Sequence, residues 1–168
     1  MKYDIVKLYQ DITNTEKELN RLVDNEVEYN KLYEQSVITD KVIVKYLEAK
    51  KYLENERKKI VKNYSELLDN PFKAEITMQI KEEVKKDFPK SKEKELNHFS
   101  NNVYVYATLR AYNIDEQDIV EQLLYLNNRY FDDMQEDGVV KNSQITDTNI
   151  EYLKKLNDKY MKLIKEKM

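Results

Sequence analysis

A single glycine, Gly138, has to serve all 168 residues, with only Pro71 and Pro89 to help it break the chain. Tight hairpins, bulges and left-handed turns draw on glycine, so a sheet of many strands has almost nothing to turn with. Helices are what such a chain can build, and the sequence predicts an all-α protein. The absence of cysteine removes disulfides, thiolate nucleophiles and cysteine-based metal sites together, and it fits a reducing compartment. The opening Met1 to Val6 has no apolar run of signal-peptide length, and nowhere do about 18 apolar residues follow one another. The expectation is a cytoplasmic protein without a membrane span.

Apolar spacing then divides the chain. Ile5, Leu8, Ile12, Leu19 and Leu22 fall on a seven-residue repeat, with polar Thr15 in the vacant position. They predict one helix from Tyr3 to about Gln35, roughly 45–50 Å long at 1.5 Å per residue. Ser36-Val37-Ile38 reads as a connection. Thr39 or Asp40 then caps a second helix whose stripe is Ile43, Leu47, Leu53, Ile60, Tyr64 and Leu67. Residues 1–69 thus form a long antiparallel hairpin.

Residues 70–168 read as a four-helix globular part, giving about six helices in all. Asn70-Pro71 starts a helix carrying Phe72, Ile76, Ile80, Val84 and Phe88, which Pro89 stops. Ser91 is the expected cap of the next, with Leu96, Phe99, Val103, Tyr106 and Leu109, ending near Asn113. Asp115, Glu116 and Asp118 place negative charge at the positive end of a fifth helix, which carries Ile119, Leu123, Leu126, Tyr130 and Met134 and stops at Asp137-Gly138. Thr148 and Glu151 have capping-box spacing and open a last helix with Ile150, Leu153, Leu156, Tyr160 and Leu163.

No residue pattern points to catalysis, a cofactor or a metal. His98 is the only histidine, and a lone histidine without cysteines cannot complete the usual zinc set. The carboxylate pairs Glu82-Glu83 and Asp132-Asp133 diverge by about 100° on a helix instead of converging on one atom. One glycine cannot make a phosphate-cradling loop. The chain is therefore expected to act by binding, without enzymatic activity.

Charge is the more informative pattern. The net charge of −3 conceals blocks: −4 over residues 1–40, +3 over 41–69, +1 over 70–100, −6 over 101–138 and +3 over 139–168. The most acidic block puts Asp115, Glu116, Asp118, Glu121, Asp132, Asp133, Glu136 and Asp137 on and around the fifth helix, offset only by Arg110 and Arg129. Carboxylates in a row on a rigid helix imitate the phosphate spacing of DNA and fit a cationic groove or channel. Tyrosine is the compositional outlier, at 14 against 4 phenylalanines, and Tyr104, Tyr106 and Tyr112 suit either a recognition surface or half-buried helix faces.

Length, composition, the six-helix pattern and the acidic helix resemble small early proteins of bacteriophages that inhibit the host's DNA sliding clamp. Gln122-Leu123-Leu124-Tyr125-Leu126 looks like the Gln-Leu-x-x-Leu/Phe peptide with which clamp partners bind, but that peptide binds extended and here it lies inside a predicted helix. The resemblance implies instead an acidic helical surface occupying the clamp's basic DNA channel as a DNA mimic and blocking replication. Asp115, Glu116, Asp118, Glu121, Asp132, Asp133 and Glu136 are then the expected contacts with the clamp. The runner-up is a coiled-coil scaffold or assembly chaperone in which Ile5, Leu8, Ile12, Leu19 and Leu22 mediate self-association, as a homodimer. Direct nucleic-acid binding through Lys50, Lys51, Lys58, Lys59 and Lys62 is weaker, because acidic residues interrupt that run.

Overall fold

The computed structural model describes residues 3–131 and 147–168. Among the described residues there is no strand, and the helices are α1 (Ile5–Asp24), α2 (Tyr29–Asn63), the single turn α3 (Ser65–Leu68), α4 (Lys73–Asp87), α5 (Glu93–Ala111), α6 (Gln117–Leu126) followed by a 3-10 turn (Asn127–Tyr130), and α7 (Asp147–Lys167). The all-α reading holds, with a long antiparallel hairpin leading into a bundle. No described helix is long and apolar enough to cross a membrane.

The hairpin turns earlier than its sequence pattern indicates. α1 stops at Asp24, and the reversal is made by Asn25 to Glu28 rather than by Ser36-Val37-Ile38. Glu26 takes a positive φ of 51°, while its N–H donates to Val23 O at 3.1 Å and that of Val27 to Leu22 O at 3.3 Å. This is the closing geometry that glycine usually serves at a helix end. Thr39, expected as a cap, sits inside α2, its hydroxyl donating to Gln35 O at 3.0 Å. The helix expected to be the long one is thus about 30 Å, and α2, at 35 residues, is about 52 Å.

Three pairs set the hairpin register. Tyr3 packs on Tyr52 with ring centroids 5.4 Å apart, and Tyr9 on Tyr46 at 4.7 Å with their hydroxyls 2.6 Å apart. Farther out, the Gln35 side-chain amide donates to Thr15 O at 3.3 Å. The vacant seam position at Thr15 is filled by polar groups of α2. Ile5, Leu8, Ile12, Leu19 and Leu22 share that face of α1, so the stripe expected to mediate self-association packs against α2 inside the chain. Ile5 is fully buried and the other four are half-buried. The repeat was real, but its partner is the second arm of the same hairpin.

Beyond Tyr52, α2 leaves the hairpin and enters the bundle. Arg57 donates to Asn102 Oδ1 at 2.7 Å, Asn102 to Asn127 Oδ1 at 3.2 Å, and Arg129 to Glu54 Oε1 at 2.6 Å. This ladder ties α2 to α5 and the 3-10 turn. Each step satisfies a polar group that would be costly to bury alone.

α5 is the central element, with every residue from Asn102 to Leu109 buried. A helix apolar on all sides belongs in the middle of a core, and α3, α4, α6 and α7 surround it. Tyr104 and Tyr106 therefore lie inside, the Tyr104 hydroxyl donating to Leu68 O at 2.5 Å. They form no recognition surface, and Tyr112 is half-buried. Ser91 does not cap α5: its hydroxyl donates back to Phe88 O at 2.7 Å, and Lys92 is the capping residue. Ile5, Tyr9, Ala49, Leu53 and Ile60 of the hairpin join the same apolar cluster as α4 to α7.

Candidate functional site

The acidic site is built at the turn between α5 and α6. Asn113, with φ 50°, ends α5 in the left-handed conformation that asparagine tolerates. Ile114 is buried, and the Gln117 amide donates to Leu109 O and Ile114 O, both at 3.1 Å. These bonds fix where α6 begins. Asp115 and Asp118 consequently point outward and are exposed, as is Glu121 one turn farther on. Asp118, in the first turn of α6, is favoured there by the positive pole of the helix dipole.

Two of the carboxylates are held by tyrosines. The Tyr64 hydroxyl donates to Glu116 Oε2 at 2.9 Å and the Tyr125 hydroxyl to Glu121 Oε1 at 2.9 Å. A neutral donor of this kind orients a carboxylate without cancelling its charge. Both tyrosines have their pKa raised, Tyr64 first by its bond to Glu116, Tyr125 first by burial and then by its bond to Glu121.

A fifth carboxylate comes from the other end of the sequence. Asp4 caps α1, accepting from Lys7 N–H at 3.1 Å, and the Ile5 N–H donates to Gln122 Oε1 at 2.8 Å. That bond brings the start of α1 to α6, and the Asp4 charge is close enough to add to the rise of Tyr125.

Two cations, Arg110 and Lys154, stand beside these carboxylates without pairing to them. Arg110 donates to Asn157 Oδ1 and Asp158 Oδ1, both at 2.7 Å, and Lys154 lies over the Tyr125 ring, 5.8 Å from its centroid. They share with Asp118 and Glu121 a shallow cleft of about 290 Å³. Among the described residues, none of Asp115, Glu116, Asp118 and Glu121 forms an ion pair with lysine or arginine. By contrast Glu54, Glu75, Glu83, Glu93 and Asp158 all do. The arrangement can present carboxylates that have no ion pair among the described residues, two of them oriented by tyrosines, to a cation or a cationic surface. Among the described residues no three carboxylate or histidine side chains come together as a metal ion would need.

Asp132, Asp133 and Glu136, the other expected contacts, lie outside the described residues. Leu123 to Leu126 are buried in α6 and Gln122 is bonded to Ile5, so the clamp-peptide-like segment is helical and inaccessible. His98 is exposed, stacked on Tyr130 at 5.9 Å. Lys51, Lys58, Lys59 and Lys62 are exposed on α2, with Lys59 paired to Glu56 at 3.3 Å.

The contributions of Asp4, Tyr64 and Tyr125 were not legible in the sequence. Tyr64 stands in the apolar stripe of the second helix and Tyr125 in the clamp-peptide-like segment, and only the docking of α1 on α6 brings Asp4 into place. Comparison with known proteins gives no match, whether to a family model, a curated protein or a solved structure.

Proposed function

We propose that this protein is a bacteriophage inhibitor that binds the bacterial DNA polymerase sliding clamp with its acidic end and excludes DNA from the clamp's basic channel. The observation that carries the reading is the set Asp115, Glu116, Asp118 and Glu121 on the turn and start of α6, none of which forms an ion pair with a lysine or arginine among the described residues. A cationic surface built for phosphates responds mainly to the placement of negative charge and to release of counterions. The carboxylates supply that charge, and the resemblance to phage early proteins supplies the target. The mode of action is occupation, with no chemical step.

The test is competition. Purified bacterial clamp is loaded on primed circular DNA with and without this protein, at increasing salt. The expected result is loss of clamp from DNA at low salt and relief as screening weakens the contact. Unchanged loading at low salt would remove the proposal.

A second reading, a non-enzymatic scaffold acting by self-association, has a specific observation in its favour, though not the one its sequence pattern suggested. The α1 stripe is used within the hairpin, whereas α2 keeps large apolar side chains exposed, among them Tyr33, Val44 and Leu47.

A further inference from the structure

We propose that two copies of this chain pair through the outer face of α2, antiparallel, about a two-fold axis between Lys45 and Tyr46. Tyr33 is 59% exposed, and Val44 and Leu47 are each 52% exposed. Residues lying this open are usually scattered, yet these share one side of a single helix. Ala49, Leu53 and Ile60, which α2 buries against the rest of the chain, lie on roughly the opposite side at 100° per residue. Tyr33, Val44 and Leu47 therefore lie away from the side of α2 that packs on the described part of the chain.

The face has the spacing of a helix seam. Tyr33, Val37, Asp40, Val44, Leu47 and Lys51 follow one another at alternating steps of four and three residues, the repeat that keeps a stripe toward a partner helix. Asp40 and Lys51 occupy seam positions where apolar residues are usual, and this is what identifies the occupant. An antiparallel copy, centred between Lys45 and Tyr46, sets Val44 on the partner's Leu47 and Asp40 on the partner's Lys51. It also sets Tyr33 on the partner's Lys58, an aromatic ring beneath an ammonium. By symmetry each contact occurs twice. A parallel copy in register would set Asp40 on Asp40 and Lys51 on Lys51.

Within one chain Asp40 and Lys51 are about 16 Å apart along the helix, and neither forms an ion pair among the described residues. Their charges complement each other only between copies. Two apolar pairs flanked by two ion pairs make a modest interface, so the dimer is expected to depend on concentration.

Sedimentation velocity of the intact chain over a concentration series tests this. The expected result is a monomer–dimer equilibrium, abolished in Val44→Asp/Leu47→Asp with helix content unchanged by circular dichroism. Should that variant unfold, the charge series decides. Asp40→Lys alone and Lys51→Asp alone each weaken the dimer roughly tenfold, from exposed pairs made repulsive twice over, and the double swap restores it. A monomer at every concentration would overturn the proposal, as would a dimer indifferent to Val44→Asp/Leu47→Asp. Failure of the double swap to rescue would overturn the antiparallel register.

Discussion

Glu26 occupies a position where a side chain is a burden. A Cβ in the left-handed region costs about 1–2 kcal/mol, and glycine would return about 0.4–1 kcal/mol of that as extra freedom in the unfolded chain. Glu26→Gly is therefore expected to stabilise the protein by about 0.5–1 kcal/mol in thermal or denaturant unfolding. A loss of stability would show that the glutamate side chain holds the turn. Tyrosines give a second consequence. Burial is the first cause that raises Tyr46, Tyr104, Tyr106, Tyr125, Tyr152 and Tyr160 above the ordinary 10.0. A raised tyrosine stabilises the fold fully below its unfolded pKa, and that contribution is lost as pH climbs through the folded value. Stability should thus hold at neutral pH and fall above about pH 10, tyrosinate absorbance and helix loss rising together. Ionisation of these hydroxyls with the helices intact would contradict their burial.

Among the elements, α1 depends on α6 for its start. The Ile5 N–H is one of the donors a helix leaves unsatisfied at its N-terminus, and Gln122 Oε1 takes it. Gln122→Ala should cost about 1–3 kcal/mol, the range for a buried donor losing its acceptor, and should speed hydrogen exchange in α1 before α5. Equal exchange in both would mean that the bond does not anchor the hairpin. Elements were also where sequence legibility was uneven. Pro89 and Asn113 marked the ends of α4 and α5 because proline removes a donor and asparagine tolerates positive φ. The hairpin turn was illegible because neither glycine nor proline stands at Asn25 to Glu28, and Ser36-Val37-Ile38 imitates a break while continuing α2. Tyr104 and Tyr106 were ambiguous for a different reason: tyrosine suits an interface and a core equally, and only the placement of α5 among four neighbouring helices decides between them.

The molecule joins these parts into one acidic end. Sequence showed the carboxylates as a block; it could not show that Glu116 and Glu121 are oriented by tyrosines, that Arg110 turns to Asp158, or that Asp4 arrives from the start of the chain. Among the described residues no lysine or arginine pairs with Asp115, Glu116, Asp118 or Glu121. Titration calorimetry of purified bacterial sliding clamp measures the dependence of binding on them most directly, comparing the unmodified chain with Asp115→Asn/Glu116→Gln/Asp118→Asn/Glu121→Gln. If the carboxylates stand in for phosphates, the variant binds at least about tenfold more weakly and with a shallower salt dependence. Equal affinity and an equal salt response, with the variant folded, would contradict the account.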